Sequence, residues 1–221
     1  MNSIRLIVRS FPAIIFWASI VVLSLLLSHN AVLYFTHGGE YGILPEKLEA
    51  RKDWLWTLCF YVHLPAGILC LIIPWISFAR NRSSFFRKIH QYSGRIYVWI
   101  TLLLVCPTGI YLAFFAKGGL VTKAGFILQA SLLAWYTYRG HRSIREGDYA
   151  NHVNAMIRSY SVGAVVLSFR ILHLLFFVLN VPYHHNYAIS QWLGLTINLL
   201  FAELVITNRI NKSYQIKNNT L

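Results

Sequence analysis

The chain has 221 residues, of which 57% are hydrophobic and only 12% charged, about half the charged share of a soluble domain. That composition excludes an ordinary water-soluble fold and points to a multi-pass membrane protein whose core is packing between helices. The formal charge of +13 does not make it a nucleic-acid binder: the cations sit in short loops between apolar runs, and no basic face remains to track phosphates.

Six apolar runs are long enough to be read as spans, at roughly 11–35, 54–79, 92–116, 121–138, 154–180 and 188–207; a crossing takes about 20 mostly apolar residues. The first is too long for a signal-peptide core of about 7–15 residues and lacks an A-x-A-like site, so it reads as a retained helix. The second carries His63, followed by Pro65, Gly67 and Cys70; the small residues at i+4 and i+7 share its face. Before the third run come Arg80, Arg82, Arg87 and Lys88, then "HQYSGRIY" with His90, Arg95 and Tyr97. The fourth is short, with Lys123 placed to snorkel at its start. The fifth opens on "NHVNAMIRSY", with His152, Arg158 and Tyr160, and ends on "SFRILH", with Arg170 and His173. "YHHNY", residues 183–187, reads as an exposed turn, and the sixth run contains Glu203. The cysteines Cys59, Cys70 and Cys106 lie in apolar runs without CxxC spacing, which offers neither a disulfide framework nor a zinc pattern.

Orientation follows from the loop cations. Twelve basic residues fall on the side of the two termini and five on the other, where Glu40, Glu46, Glu49 and Asp53 offset them. The positive-inside rule then makes both termini cytoplasmic, in a cell membrane. The whole chain reads as one all-helical transmembrane domain.

Charged or titratable groups in hydrocarbon cost about 2.5–3.5 kcal/mol on insertion scales and ask for a reason. Depth sorts the histidines. At 1.5 Å per residue, His63 lies about 12–14 Å and His173 about 10 Å below the outer surface, while His90 and His152 both sit at the cytoplasmic lip. Two histidines at one depth on separate helices can hold b-type haem, one imidazole on each face of the iron. In that reading His63 and His173 are outer ligands, His90 and His152 an inner pair, and Arg170 the partner of an anionic propionate. A quinone or redox partner protein would complete the circuit. Competing accounts stand beside it: an interhelical hydrogen bond for His63 and His173, and a helix-end cap or headgroup contact for His90 and His152. Arg158 and Glu203 reach a similar depth and suit a structural ion pair. A transporter or sensor using Arg170 and His173, or a scaffold that needs none of these side chains, are the alternative functions. No phosphate-cradling loop, HExxH or nucleophile elbow is present.

"HLPAGILCLIIP" (63–74), "HQYSGRIY" (90–97), "NHVNAMIRSY" (151–160) and "SFRILH" (168–173) together resemble the predicted multi-pass membrane proteins grouped as domain of unknown function 2306. The resemblance covers about residues 55–180 and rests on H-x3-GR-x-Y followed by H-x3-M-x-RSY. Gln91 and Ala155 stand where that family usually has Arg and Trp. The resemblance implies a helical membrane fold and no particular activity.

Overall fold

The computed structural model describes residues 21–78 and 83–218. The start of the first apolar run, and the cations Arg5, Arg9, Arg80 and Arg82 used for orientation, lie outside the described residues. The chain divides into two units, residues 1–49 and 50–221.

In the first unit an apolar helix, α1, runs over Val21–Thr36. It is followed by single 3-10 turns at Gly38–Glu40 and Leu44–Lys47. The Tyr34 hydroxyl fixes this return: it accepts from the Ile43 amide at 3.2 Å, while its ring meets Tyr41 edge-on at 5.0 Å.

After the short helix Leu48–Lys52, six longer helices follow among the described residues of the second unit. They are α2 (Trp54–Phe78), α3 (Ser84–Ala113), α4 (Gly119–Arg145), α5 (Tyr149–Gly163), α6 (Val165–Val178) and α7 (Tyr183–Asn218). Among the described residues there is no strand. Four stretches of the described residues are long and apolar enough to cross a membrane: Trp54–Trp75, Ser84–Ala113, Tyr149–Val178 and Tyr183–Asn211. The run at 121–138 falls inside α4, whose 27 residues give about 40 Å of helix. Lys123, Gln129 and the terminal arginines Arg139, Arg142 and Arg145 make it more polar than the other four.

Caps and turns follow from the sequence. Ser83 caps α3 by accepting from the Phe86 amide at 3.4 Å, and Asp148 caps α5 by accepting from the Asn151 amide at 3.0 Å. Such side chains satisfy amides that the first helical turn leaves without partners. Between α3 and α4, Gly118 has φ +89°, and a Cβ there would strike Thr122 and Tyr187; only glycine suits both demands.

The core is built from Ala66, Cys70, Tyr97, Val105, Leu133, Val162, Val165 and Leu195, contributed by every helix from α2 to α7. All three cysteines are buried and unpaired. Close helix approach depends on small residues: a Cβ on Gly125 would fall 2.8 Å from Gln191, and one on Gly140 would fall 2.6 Å from the Met156 sulfur.

Two local departures from α-helix interrupt the spans. In α3, Thr101–Val105 forms a π-turn, with the Cys106 amide bonded to the Thr101 carbonyl; such single-turn insertions are frequent at functional sites. Between α5 and α6 the helix breaks at Gly163–Ala164.

Candidate functional site

Two of the sequence signatures meet across α3 and α5. The rings of His90 and His152 meet edge-on, with centroids 6.5 Å apart and planes at 86°. Two helical turns further on, the Tyr97 hydroxyl lies 2.7 Å from Ser159 Oγ. Both pairs are 62 residues apart in sequence, so α3 and α5 run parallel and in register. Their backbones nevertheless stay more than 8 Å apart; side chains alone bridge them, and α4 runs back between the two.

His152 is held firmly. Its Nδ1 lies 2.8 Å from the Gly140 carbonyl. A carbonyl can only accept, so Nδ1 carries the proton and Nε2 the lone pair. The bare Cα of Gly140 lets α4 come close enough to α5 to make this bond, with Met156 packed over it. His90 stands exposed near the start of α3.

The Tyr97–Ser159 contact continues inward. Ser159 Oγ lies 2.7 Å from Thr137 Oγ1, and Thr137 donates to the Leu133 carbonyl at 2.7 Å. With Thr137's proton committed, the chain has one direction: Tyr97 donates to Ser159, Ser159 to Thr137, Thr137 to the carbonyl. All three residues are buried, and together they join α3, α4 and α5.

His63 belongs to a different place. Its Nδ1 is 2.9 Å from Thr108 Oγ1, just past the π-turn of α3. Thr108 already donates to the Leu104 carbonyl at 2.5 Å, so it accepts from the histidine. The Val105 carbonyl also faces the ring. Gly109 gives the imidazole room: a Cβ there would sit 3.1 Å from His63 Cε1.

His173 is enclosed by α6 and the start of α7. Asn186 Oδ1 accepts from His173 Nδ1 at 2.8 Å and from Ser190 Oγ at 3.0 Å, while Asn186 Nδ2 donates to the His173 carbonyl at 3.1 Å. The rings of Phe169, Tyr187 and Tyr183 surround it with centroids at 5.6, 4.5 and 6.3 Å. "YHHNY" is therefore the first turn of α7 rather than an exposed turn. His184 and His185 are exposed, but Asn186 is among the most buried side chains. Among the described residues no ring contact joins His63 to His173, and the backbones of α2 and α6 stay more than 8 Å apart.

Arg158 and Glu203 form a two-pronged ion pair, Nε to Oε1 at 2.5 Å and Nη2 to Oε2 at 2.8 Å, beneath the Tyr136 ring at 5.9 Å. Arg170 stands on the exposed face of α6, with no bond to His173. Outside the spans, the Asn151 amide holds the Asp148 carboxyl below its ordinary range. The Tyr111 hydroxyl does the same for Asp53.

Reasoning from charged residues alone passes over the amides. At the α5–α6 break, the carbonyls of Ser161 and Val162 accept from Asn198 at 2.9 Å and Gln129 at 3.2 Å. Gln191 donates to Gln129 at 2.9 Å, Ser168 donates to Asn198 at 2.7 Å, and Gln191 Oε1 is buried without a partner. In lipid a helix break persists only where its freed carbonyls find such donors. The signal in the sequence was three amide side chains inside apolar runs.

A family model described as a predicted membrane protein (DUF2306) matches residues 60–206. A comparison with curated proteins and another with solved structures each return no match.

Proposed function

The chain belongs to the DUF2306 family of predicted membrane proteins, and we propose that it is a six-span electron carrier of the cell membrane, with both termini cytoplasmic and a b-type haem held between His90 and His152. The observation that carries this reading is the edge-on approach of those two rings, with centroids 6.5 Å apart. Imidazoles bound to opposite faces of one iron, with metal–nitrogen bonds of about 2 Å, put their ring centres roughly 6 Å apart.

The donor set favours a macrocycle over a bare ion. A bare transition-metal ion asks for three or four protein ligands, and among the described residues no group of three His, Cys, Asp or Glu side chains is placed to supply them. A porphyrin brings four nitrogens of its own and needs only the two histidines. Room is available beside the pair: Gly94, on the His90 face one turn on, has no heavy atom within 4 Å of where a Cβ would sit. The Gly140 carbonyl keeps the His152 lone pair on Nε2, as a ligating imidazole requires. Arg87, Lys88 and Arg95 flank His90 and provide positive charge for propionates. When bound, haem supplies reversible one-electron chemistry; the residues' part is to orient the two rings and balance the charge. His63 and His173, engaged by Thr108 and by Asn186 with its aromatic neighbours, serve packing in this reading.

The test is the spectrum of the full chain purified in detergent. Reduced b-type bands are expected in wild type and in His63→Ala and His173→Ala, and lost in His90→Ala and His152→Ala. A wild-type protein without those bands ends the proposal. Bands that survive both inner substitutions, or vanish with His63→Ala, overturn the assignment of ligands.

A further inference from the structure

The outlying feature of the spanning helices is Arg170. It lies eight residues before Val178, the end of α6, or about 12 Å along the axis, inside a stretch apolar enough to cross a membrane. It stands on the exposed stripe of α6 with Ile171, Leu174, Phe177 and Val178. Among the described residues no carboxylate, carbonyl or aromatic ring engages its guanidinium. α6 packs on α7, on α5, to which it is joined, and through Phe169 on Phe126 of α4; the side of α6 that carries Arg170, Ile171, Leu174 and Phe177 is exposed among the described residues of the second unit. An unpaired guanidinium at such a position calls for an anion.

The spanning stretches of this chain do not have one to give. Its acidic residues are Glu40, Glu46, Glu49, Asp53, Glu146, Asp148 and Glu203. Only Glu203 lies within a spanning stretch, and both its oxygens are taken by Arg158. A second copy would bring the same committed carboxylate. The counter-charge therefore has to come from a different molecule, and the apolar side chains above and below Arg170 suit a helix in the same lipid.

We propose that the α6 stripe centred on Arg170 is the docking surface for a transmembrane helix of another protein, one that carries a carboxylate at the level of Arg170. The acid and the guanidinium pair in a charge-assisted, two-pronged hydrogen bond, while Ile171, Leu174 and Phe177 pack against the apolar turns on either side. Lipid phosphate reached by snorkelling and self-association are the competing occupants, and the experiment separates them.

The full chain, labelled with a donor dye, is reconstituted in phosphatidylcholine vesicles with an acceptor-labelled Leu/Ala peptide of about 21 residues bearing one central Asp. The same peptide with Asn is the comparison. Energy transfer is expected to report association at least about tenfold stronger for the Asp peptide. Arg170→Gln should abolish the preference, and Arg145→Gln, at an exposed arginine at the end of α4, should leave it intact. Arg170→Glu should reverse it toward a peptide with central Arg. Because the Asp-against-Asn comparison uses wild-type protein, it stands even if a variant fails to insert. Equal binding of the two peptides overturns the proposal. So does an Asp preference that disappears when phosphatidylglycerol is added at constant ionic strength, which would assign Arg170 to lipid phosphate. Energy transfer between two labelled copies that depends on Arg170 overturns it in favour of self-association.

Discussion

The Tyr97 hydroxyl and Ser159 Oγ, 2.7 Å apart, tie the GR-x-Y signature of α3 to the RSY signature of α5. Seven residues earlier on each helix, His90 meets His152. The two similar stretches of sequence are thus two halves of one contact, repeated at two levels. Their tyrosines part company: Tyr97 reaches Ser159, whereas Tyr160 accepts from the Trp75 indole at 2.7 Å. Their arginines do as well, since Arg158 turns to Glu203 and Arg95 to the exposed face of α3.

Removing the middle of the hydroxyl chain should cost more than removing its end. Ser159→Ala leaves the Tyr97 donor and a Thr137 lone pair buried without partners, a loss of about 1–3 kcal/mol. Tyr97→Phe removes only the outermost donor. Thermal unfolding in detergent should rank Ser159→Ala below Tyr97→Phe, with the double variant less destabilised than the sum of the two. Strict additivity would show that the chain does not act as a unit.

The Arg158–Glu203 pair should behave as a partnership rather than as two separate charges. Glu203→Gln keeps the shape but weakens both prongs, with an expected loss of about 1–3 kcal/mol. The exchange Arg158→Glu with Glu203→Arg should recover part of it, while Arg158→Glu alone places two carboxylates together and should be the worst of the set. Denaturant unfolding of the four proteins checks the order; an exchange no better than the worst single variant would refute the pairing.

At the π-turn, Thr108 both accepts from His63 and donates to Leu104. Thr108→Val deletes both bonds at nearly constant volume and should destabilise by about 1–3 kcal/mol. Thr108→Ser keeps the hydroxyl and should stay close to wild type. Equal stability of the two variants would show that packing, not the hydroxyl, holds His63.

The cap of α5 makes a pH-dependent contribution. The Asn151 amide, then its side chain, lower the Asp148 carboxyl from its ordinary 3.8. A lowered folded value means that the stabilisation is complete above the ordinary carboxylate range and is lost as pH falls through the lowered value. Asp148→Ala should therefore melt earlier than wild type near neutral pH, with the gap closing under acid conditions. A gap independent of pH would mean that the carboxylate charge plays no part.

The helical class, and the runs that became α2, α3, α5–α6 and α7, were legible because hydropathy simply counts apolar residues along the chain. Departures from regularity were not. Nothing in "TLLLV" distinguishes a π-turn from an α-turn, since what defines it is the hydrogen bond from the Cys106 amide back to the Thr101 carbonyl. The break at Gly163–Ala164 was likewise hidden, because a glycine in an apolar run is common and its cost is borne by amides far away in sequence, Gln129 and Asn198. Depth counting placed His63 and His173 at one level, but depth carries no information about rotation. His63 faces α3 and His173 faces α7. Asn186 was missed because it follows two exposed histidines, His184 and His185, where polarity reads as a loop.

The π-turn has a geometric consequence for α3. In an unbroken α-helix, residues 97 and 108 would lie within about 20° of one another; one inserted residue offsets everything beyond it by roughly 100°. That phase change lets a single helix address α5 through Tyr97 and α2 through Thr108. Deleting one residue from 101–105 would swing the far half of α3 back into phase, carrying Thr108 and Gly109 away from His63 while leaving the other half of the helix where it is.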